Sequence, residues 1–91
     1  MPYIHGVDRE DIDGILAYLE PLTTGEVNYI ITKVLLNWLQ GTTDTPNYQD
    51  YNELVGILEC AKLELYRRMV APYEDFKCKE NGDVYRDGGG I

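Results

Sequence analysis

Tyr51-Asn52-Glu53-Leu54-Val55-Gly56-Ile57-Leu58-Glu59-Cys60-Ala61-Lys62-Leu63-Glu64-Leu65-Tyr66-Arg67-Arg68-Met69-Val70 is the stretch whose reading decides the fold. Projected at about 100° per residue, it shows one apolar stripe of Tyr51, Leu54, Leu58, Ala61, Leu65 and Met69. A second stripe, Val55, Leu63, Tyr66 and Val70, lies a third of a turn or more away, so apolar side chains cover well over half the circumference. The pattern predicts a long helix with Thr45 as its cap, Pro46 at the first helical position and Ala71 at its end. Pro72 ends or kinks it, because proline offers no N–H and its ring clashes with the carbonyl four residues back. A short helix from Tyr73 to about Glu80 follows, with Asn81-Gly82 as a left-handed cap. The competing reading makes Asn81-Gly82 a hairpin turn. It sets Glu80 directly against Asp83, which is unfavourable, so the cap is preferred.

Two helices precede this one. The first is expected over Arg9 to Glu20, with Asp8 as N-cap, a narrow stripe of Ile12, Ile15, Leu16 and Leu19, and Pro21 as the stop. The second is expected over Thr24 to Gln40. Thr23 and Glu26 have the spacing of a capping box, and Gly41 stands where a C′ residue belongs. Its core face is Val27, Ile30, Ile31, Val34, Leu35 and Trp38, while Tyr29 and Leu36 lie on nearly the opposite side. The expected fold is therefore all-α: a three-helix domain whose long C-terminal helix forms an antiparallel helical hairpin, followed by a short C-terminal segment. Residues 1–86 make the single domain, and 87–91, with three consecutive glycines, a flexible tail.

A domain of 91 residues buries a modest share of its surface, so its stability margin is thin. Chains of this size gain the missing burial from disulfides, a metal or a partner subunit. Cys60 and Cys78 have the spacing of neither a metal knuckle nor a redox pair, and His5 is the only histidine. No metal or other cofactor is expected. Self-association remains, and the two stripes of the long helix with Tyr29 and Leu36 supply surplus apolar surface for it. The alternative is that the C-terminal segment folds back over the second stripe.

Sixteen acidic and eight basic residues give a net charge of −8, which argues against duplex nucleic acid and anionic membrane as partners. No apolar run approaches the roughly 20 residues of a membrane span, and Met1-Pro2-Tyr3-Ile4 does not read as a signal peptide. A cytoplasmic protein with reduced thiols is expected.

Glu59 is the most unusual residue, a carboxylate inside the second apolar stripe. It must be paired, hydrogen-bonded or protonated if buried. A Glu59–Lys62 pair at a subunit boundary is the plain reading; a polar anchor in a ligand pocket is the functional one. Asn28 and Thr32, one turn apart at the margin of the second helix's apolar face, read as a hydrogen-bonded border pair. An Asn28 amide also has the donor and acceptor that a base edge or ribose requires. Glu64, Arg67 and Arg68 have the spacing of surface ion pairs. Yet six of the eight basic residues, Lys62, Arg67, Arg68, Lys77, Lys79 and Arg86, fall in the last thirty, interleaved with Tyr66, Tyr73, Phe76 and Tyr85. Arginine forks beside aromatic faces suit phosphate and base recognition. Enzyme constellations are missing: the chain has no serine, Cys60 has no histidine close in sequence, and Gly88-Gly89-Gly90 precedes no helix. No catalytic residues are expected.

The segments Met1-Pro2-Tyr3-Ile4, Asn28-Tyr29-Ile30-Ile31-Thr32, Glu59 through Asp75, and Glu80-Asn81-Gly82-Asp83-Val84-Tyr85 resemble a family of small proteins of similar length. The family is found in bacteriophages and bacteria and classed as a domain of unknown function. The resemblance covers most of the chain, leaving out the loop from Gly41 to Tyr48 and the Arg86–Ile91 tail. It implies a phage-type context and brings no activity.

Together these readings lead to a phage-encoded, homo-oligomeric binding protein that sequesters a small anionic ligand. The ligand expected is a nucleotide signal of host defence, of cyclic-nucleotide or ADP-ribose type, by analogy with sponge proteins of similar design. Lys62, Arg67 or Arg68 would hold phosphate, Tyr66 and Tyr73 would stack on a base, and Asn28 or Glu59 would read polar edges. The alternative is an acidic inhibitor of a host defence or nucleic-acid enzyme. In that reading the N-terminal carboxylates Asp8, Glu10, Asp11, Asp13, Glu20 and Glu26 mimic nucleic-acid charge.

Overall fold

The computed structural model describes residues 2–20 and 22–85. These residues are helical without strands: α1 Gly6–Leu16, α2 Thr24–Thr42, α3 Tyr48–Leu65, a π-helical turn Tyr66–Val70, and α4 Ala71–Asn81. The chain divides into two compact units, Met1–Ile57 and Leu58–Ile91, with α3 running across the boundary. Among the described residues no helix is long and apolar enough to cross a membrane.

In the first unit, α1 begins and ends earlier than its periodicity predicts. His5 occupies the N-cap position in extended conformation without a side-chain cap bond, and Asp8 falls in the first turn. There its charge still meets the positive end of the helix. After Leu16 the helix tightens. Ala17 N–H reaches the Asp13 carbonyl at 2.9 Å, but Tyr18 and Leu19 reach only three residues back, to Ile15 at 3.2 Å and Leu16 at 2.9 Å. A chain approaching Pro21 is biased out of the α conformation, which accounts for the unwinding before Glu20.

The start of α2 follows the expected capping box. Glu26 N–H donates to Thr23 Oγ1 at 3.2 Å, and Thr23 N–H donates to the Glu26 carboxylate at 3.3 Å. A Thr23→Ala variant is expected to lose about 1 kcal/mol of helix stability, read as a lower melting temperature in thermal denaturation. At the far end Gly41 lies inside the helix rather than beyond it. The Thr42 hydroxyl donates back to the Trp38 carbonyl at 2.8 Å, one turn earlier. Thr43 then leaves in extended conformation.

The expected core face of α2 is largely uncovered. Ile30 and Leu35 are half-buried, while Val27, Ile31, Val34 and Trp38 are exposed. The buried hydrophobic side chain among the described residues is Leu39, 6% exposed, beside a hollow also lined by Leu36, Thr43, Asp44 and Pro46.

α3 starts later than the expected Thr45-Pro46. The Asn47 amide oxygen accepts from Asp50 N–H at 3.1 Å, and the Asp50 carboxylate accepts from Asn47 N–H at 2.9 Å. This reciprocal pair is a capping box built from Asn and Asp, and it fixes Tyr48 as the first helical residue. Among the described residues of the first unit α2 packs along neither α1 nor the first turns of α3. The expected antiparallel hairpin is not seen there.

In the second unit the helical run passes straight through Pro72. Ala71 N–H donates to the carbonyl of Tyr66, five residues back, which is the π pattern. The widened turn accommodates a ring that would otherwise collide with the Arg68 carbonyl, so Pro72 becomes an early residue of α4 instead of a helix end. The short helix expected after Pro72 is present and reaches Asn81. Gly82 terminates it with φ +96° and ψ 147°, its N–H bonded to the Cys78 carbonyl at 2.8 Å. Glycine tolerates that positive φ, although the ψ differs from the left-handed helical cap anticipated. The domain end at residue 86 and the tail at 87–91 lie outside the described residues.

Candidate functional site

The candidate residues fall in both units. Asn28 stands exposed on α2, and its carbonyl accepts the Thr32 hydroxyl at 2.9 Å. That border pair is therefore side chain to backbone, and it leaves the Asn28 amide out of the bond. The other six candidates, Glu59, Lys62, Tyr66, Arg67, Arg68 and Tyr73, lie on the helical run of the second unit.

On α3, Glu59 is exposed and paired with Lys62 at 3.2 Å. The plain reading of this pair holds as far as the pairing goes, and exposure removes any burial cost from the carboxylate. Arg67 makes a two-pronged ion pair with Glu64, its Nε 3.2 Å from Oε2. Glu64 is the more enclosed partner, its side chain 23% exposed against 64% for Arg67. Such a fork–fork contact orients the guanidinium plane as well as neutralising charge. Arg68 has no ion pair among the described residues.

The π turn spans Tyr66, Arg67 and Arg68, so three of the five residues picked out for base and phosphate contact occupy the irregular segment of the helix, while Lys62 lies before it on α3 and Tyr73 after it on α4. Turns of this kind occur often at functional sites because they re-aim side chains. Here the re-aiming has a definite sense. In an unbroken α-helix Tyr73, seven residues after Tyr66, would stand almost directly over it. One extra residue in the turn rotates everything beyond it by about 100°. Tyr73 is thus carried away from the face shared by Glu59, Lys62 and Tyr66. Arg68, two residues after Tyr66, also points away from that face.

Lys77 was not among the expected site residues, yet its ammonium lies 5.8 Å from the Tyr73 ring centroid and 3.8 Å from Glu80. The i, i+4 spacing of Tyr73 and Lys77 was the signal available. Below it, an open hollow of about 410 Å³ is lined by residues including Glu74, Lys77, Cys78, Asn81, Asp83 and Tyr85. Its carboxylates make it a poor anion cradle. Among the described residues no group of His, Cys, Asp and Glu side chains converges to hold a metal ion.

Comparison with curated proteins found no match, nor did comparison with solved structures. One family model does match, over residues 1–84. With nearly the whole chain matched, the protein belongs to the family described as Domain of unknown function (DUF6899).

Proposed function

We propose that the chain is a non-enzymatic, homo-oligomeric binding protein that sequesters a small anionic ligand at the π turn of its long helix. The observation that carries this reading is the disposition of Tyr66, Arg67 and Arg68 in that turn. They spread around one helix, so a ligand touching both an aromatic face and a free guanidinium needs more than one copy of the helix around it. A site shared between copies also explains why an acidic chain places six of its eight basic residues in its last thirty. Helix-to-helix packing of the hairpin kind belongs to the assembled form in this reading.

The ligand is of nucleotide type: Arg68 supplies a fork for phosphate and Tyr66 a face for a base. In its full form the proposal is a phage-encoded, cytoplasmic sponge for a nucleotide signal of host defence, reached by analogy of design.

The test is titration calorimetry and thermal shift against cyclic di- and oligonucleotides and ADP-ribose derivatives. A true ligand at about one hundred times its Kd adds ~2.7 kcal/mol to the folded state, a plain rise in melting temperature. No heat and no shift with any of these at tens of micromolar would sink the proposal.

A further inference from the structure

The exposed apolar residues of α2 follow a rule that their number alone does not convey. Val27, Ile31, Val34 and Trp38 are separated by four, three and four residues. That is the heptad spacing of a helix built to run alongside another helix, knobs into holes. All four are open to solvent, at 44, 44, 60 and 38%. The residues flanking the seam, Asn28, Ile30, Leu35 and Asn37, carry no charge, and the charged residues of α2, Glu26 and Lys33, project on the far side. Lys33 is engaged there, its ammonium 6.0 Å from the Tyr29 ring centroid.

The seam is also symmetric. Positions 27 and 38, like 31 and 34, are equidistant from the midpoint between residues 32 and 33. In an antiparallel helix pair the first position of the heptad faces the fourth of the partner. Two copies of α2 related by a two-fold axis through that midpoint therefore set Trp38 against Val27 and Ile31 against Val34. The largest side chain meets a small one at each end of the seam, and the middle is filled by branched residues of similar size. A surface that complements itself in this way is what a two-fold interface requires. Electrostatics favours the same choice. Two chains of net charge −8 repel, and this seam lets them meet with no carboxylate between them.

We infer that α2 docks against α2 of a second copy, antiparallel, through Val27, Ile31, Val34 and Trp38. The inference deepens the homo-oligomer part of the proposed function and rests on it, while its readouts need no ligand. Failure of the seam therefore leaves the ligand titrations to be judged separately.

Trp38 is the only tryptophan, so its fluorescence reports the seam directly. In the native chain, light scattering is expected to give at least the mass of a dimer, and acrylamide quenching of Trp38 to rise on dilution as copies separate. Ile31→Glu, placing a carboxylate in the seam, is expected to weaken association by roughly a hundredfold or more and leave Trp38 quenchable at all concentrations. Tyr29→Glu, on the opposite face, is expected to leave both readouts as in the native chain. The dilution series uses the native chain alone, so it decides even where Ile31→Glu loses its helicity. A native monomer, quenching independent of concentration, an assembly that Ile31→Glu leaves intact, or one that Tyr29→Glu breaks would each overturn the inference.

Discussion

Arg68→Ala is expected to weaken binding of the nucleotide retained by the ligand screen about 10- to 150-fold, with unchanged far-ultraviolet circular dichroism. A hydrogen bond to a charged group contributes about 1.5–3 kcal/mol, and every 1.4 kcal/mol is a factor of ten. The effect should be larger than that of Arg67→Ala, because Arg67 already spends its fork on Glu64 whereas Arg68 has no ion pair among the described residues. Arg68→Lys should fall between, keeping the charge and losing the two-pronged geometry. Calorimetric titration of the three variants, repeated at raised salt, orders these effects. Equal affinities for native chain and Arg68→Ala would remove the phosphate role from this residue.

Pro72→Ala should have two effects of opposite sign. Alanine restores an N–H and removes the ring that keeps the Arg68 carbonyl out of regular bonding, so the π turn relaxes to α. Proline costs about 3 kcal/mol relative to alanine in a helix interior, and the π turn already recovers part of that. A gain of ~1–3 kcal/mol in the melting analysis is expected. The same relaxation turns Tyr73 and Lys77 by about 100° back toward the face of Tyr66. Tyr73 would then crowd the face that Tyr66 offers to a base, so ligand affinity should fall by roughly tenfold although the chain is more stable. Unchanged affinity in Pro72→Ala would show that the widened turn has no part in binding, and a rise would show that it opposes binding.

Much of the helical content was legible because it rests on local chemistry. Thr23 and Glu26 cap α2 as their spacing requires, and Pro72 disturbs its helix for the reason any proline does. What was missed were competitions between neighbours. Thr45-Pro46 is a plausible helix start, but Asn47 and Asp50 satisfy two backbone amides reciprocally and win. Gly41 is a plausible stop, but the helix carries on through it to Thr42, its last turn closed by Thr43 N–H donating to the Leu39 carbonyl at 3.1 Å. The π turn was the larger miss. A projection at fixed pitch aligns Tyr66 with Tyr73, and only the i to i−5 bond from Ala71 shows that they diverge. The candidate residues were found by type rather than position: aromatic and guanidinium groups are recognisable in a string of letters, whereas their azimuth around a helix is not.

That Leu39 is the buried hydrophobic side chain among the described residues has a consequence for abundance. Under the proposed pairing, folding and assembly form one equilibrium, and the melting temperature climbs with protein concentration. Newly made copies at low concentration are poorly protected from proteases, while accumulated copies shelter one another. The assembled fraction then rises more steeply than the amount synthesised. On the proposed pairing the protein would act as a threshold device, inert while scarce and effective once its own dose passes the dissociation constant.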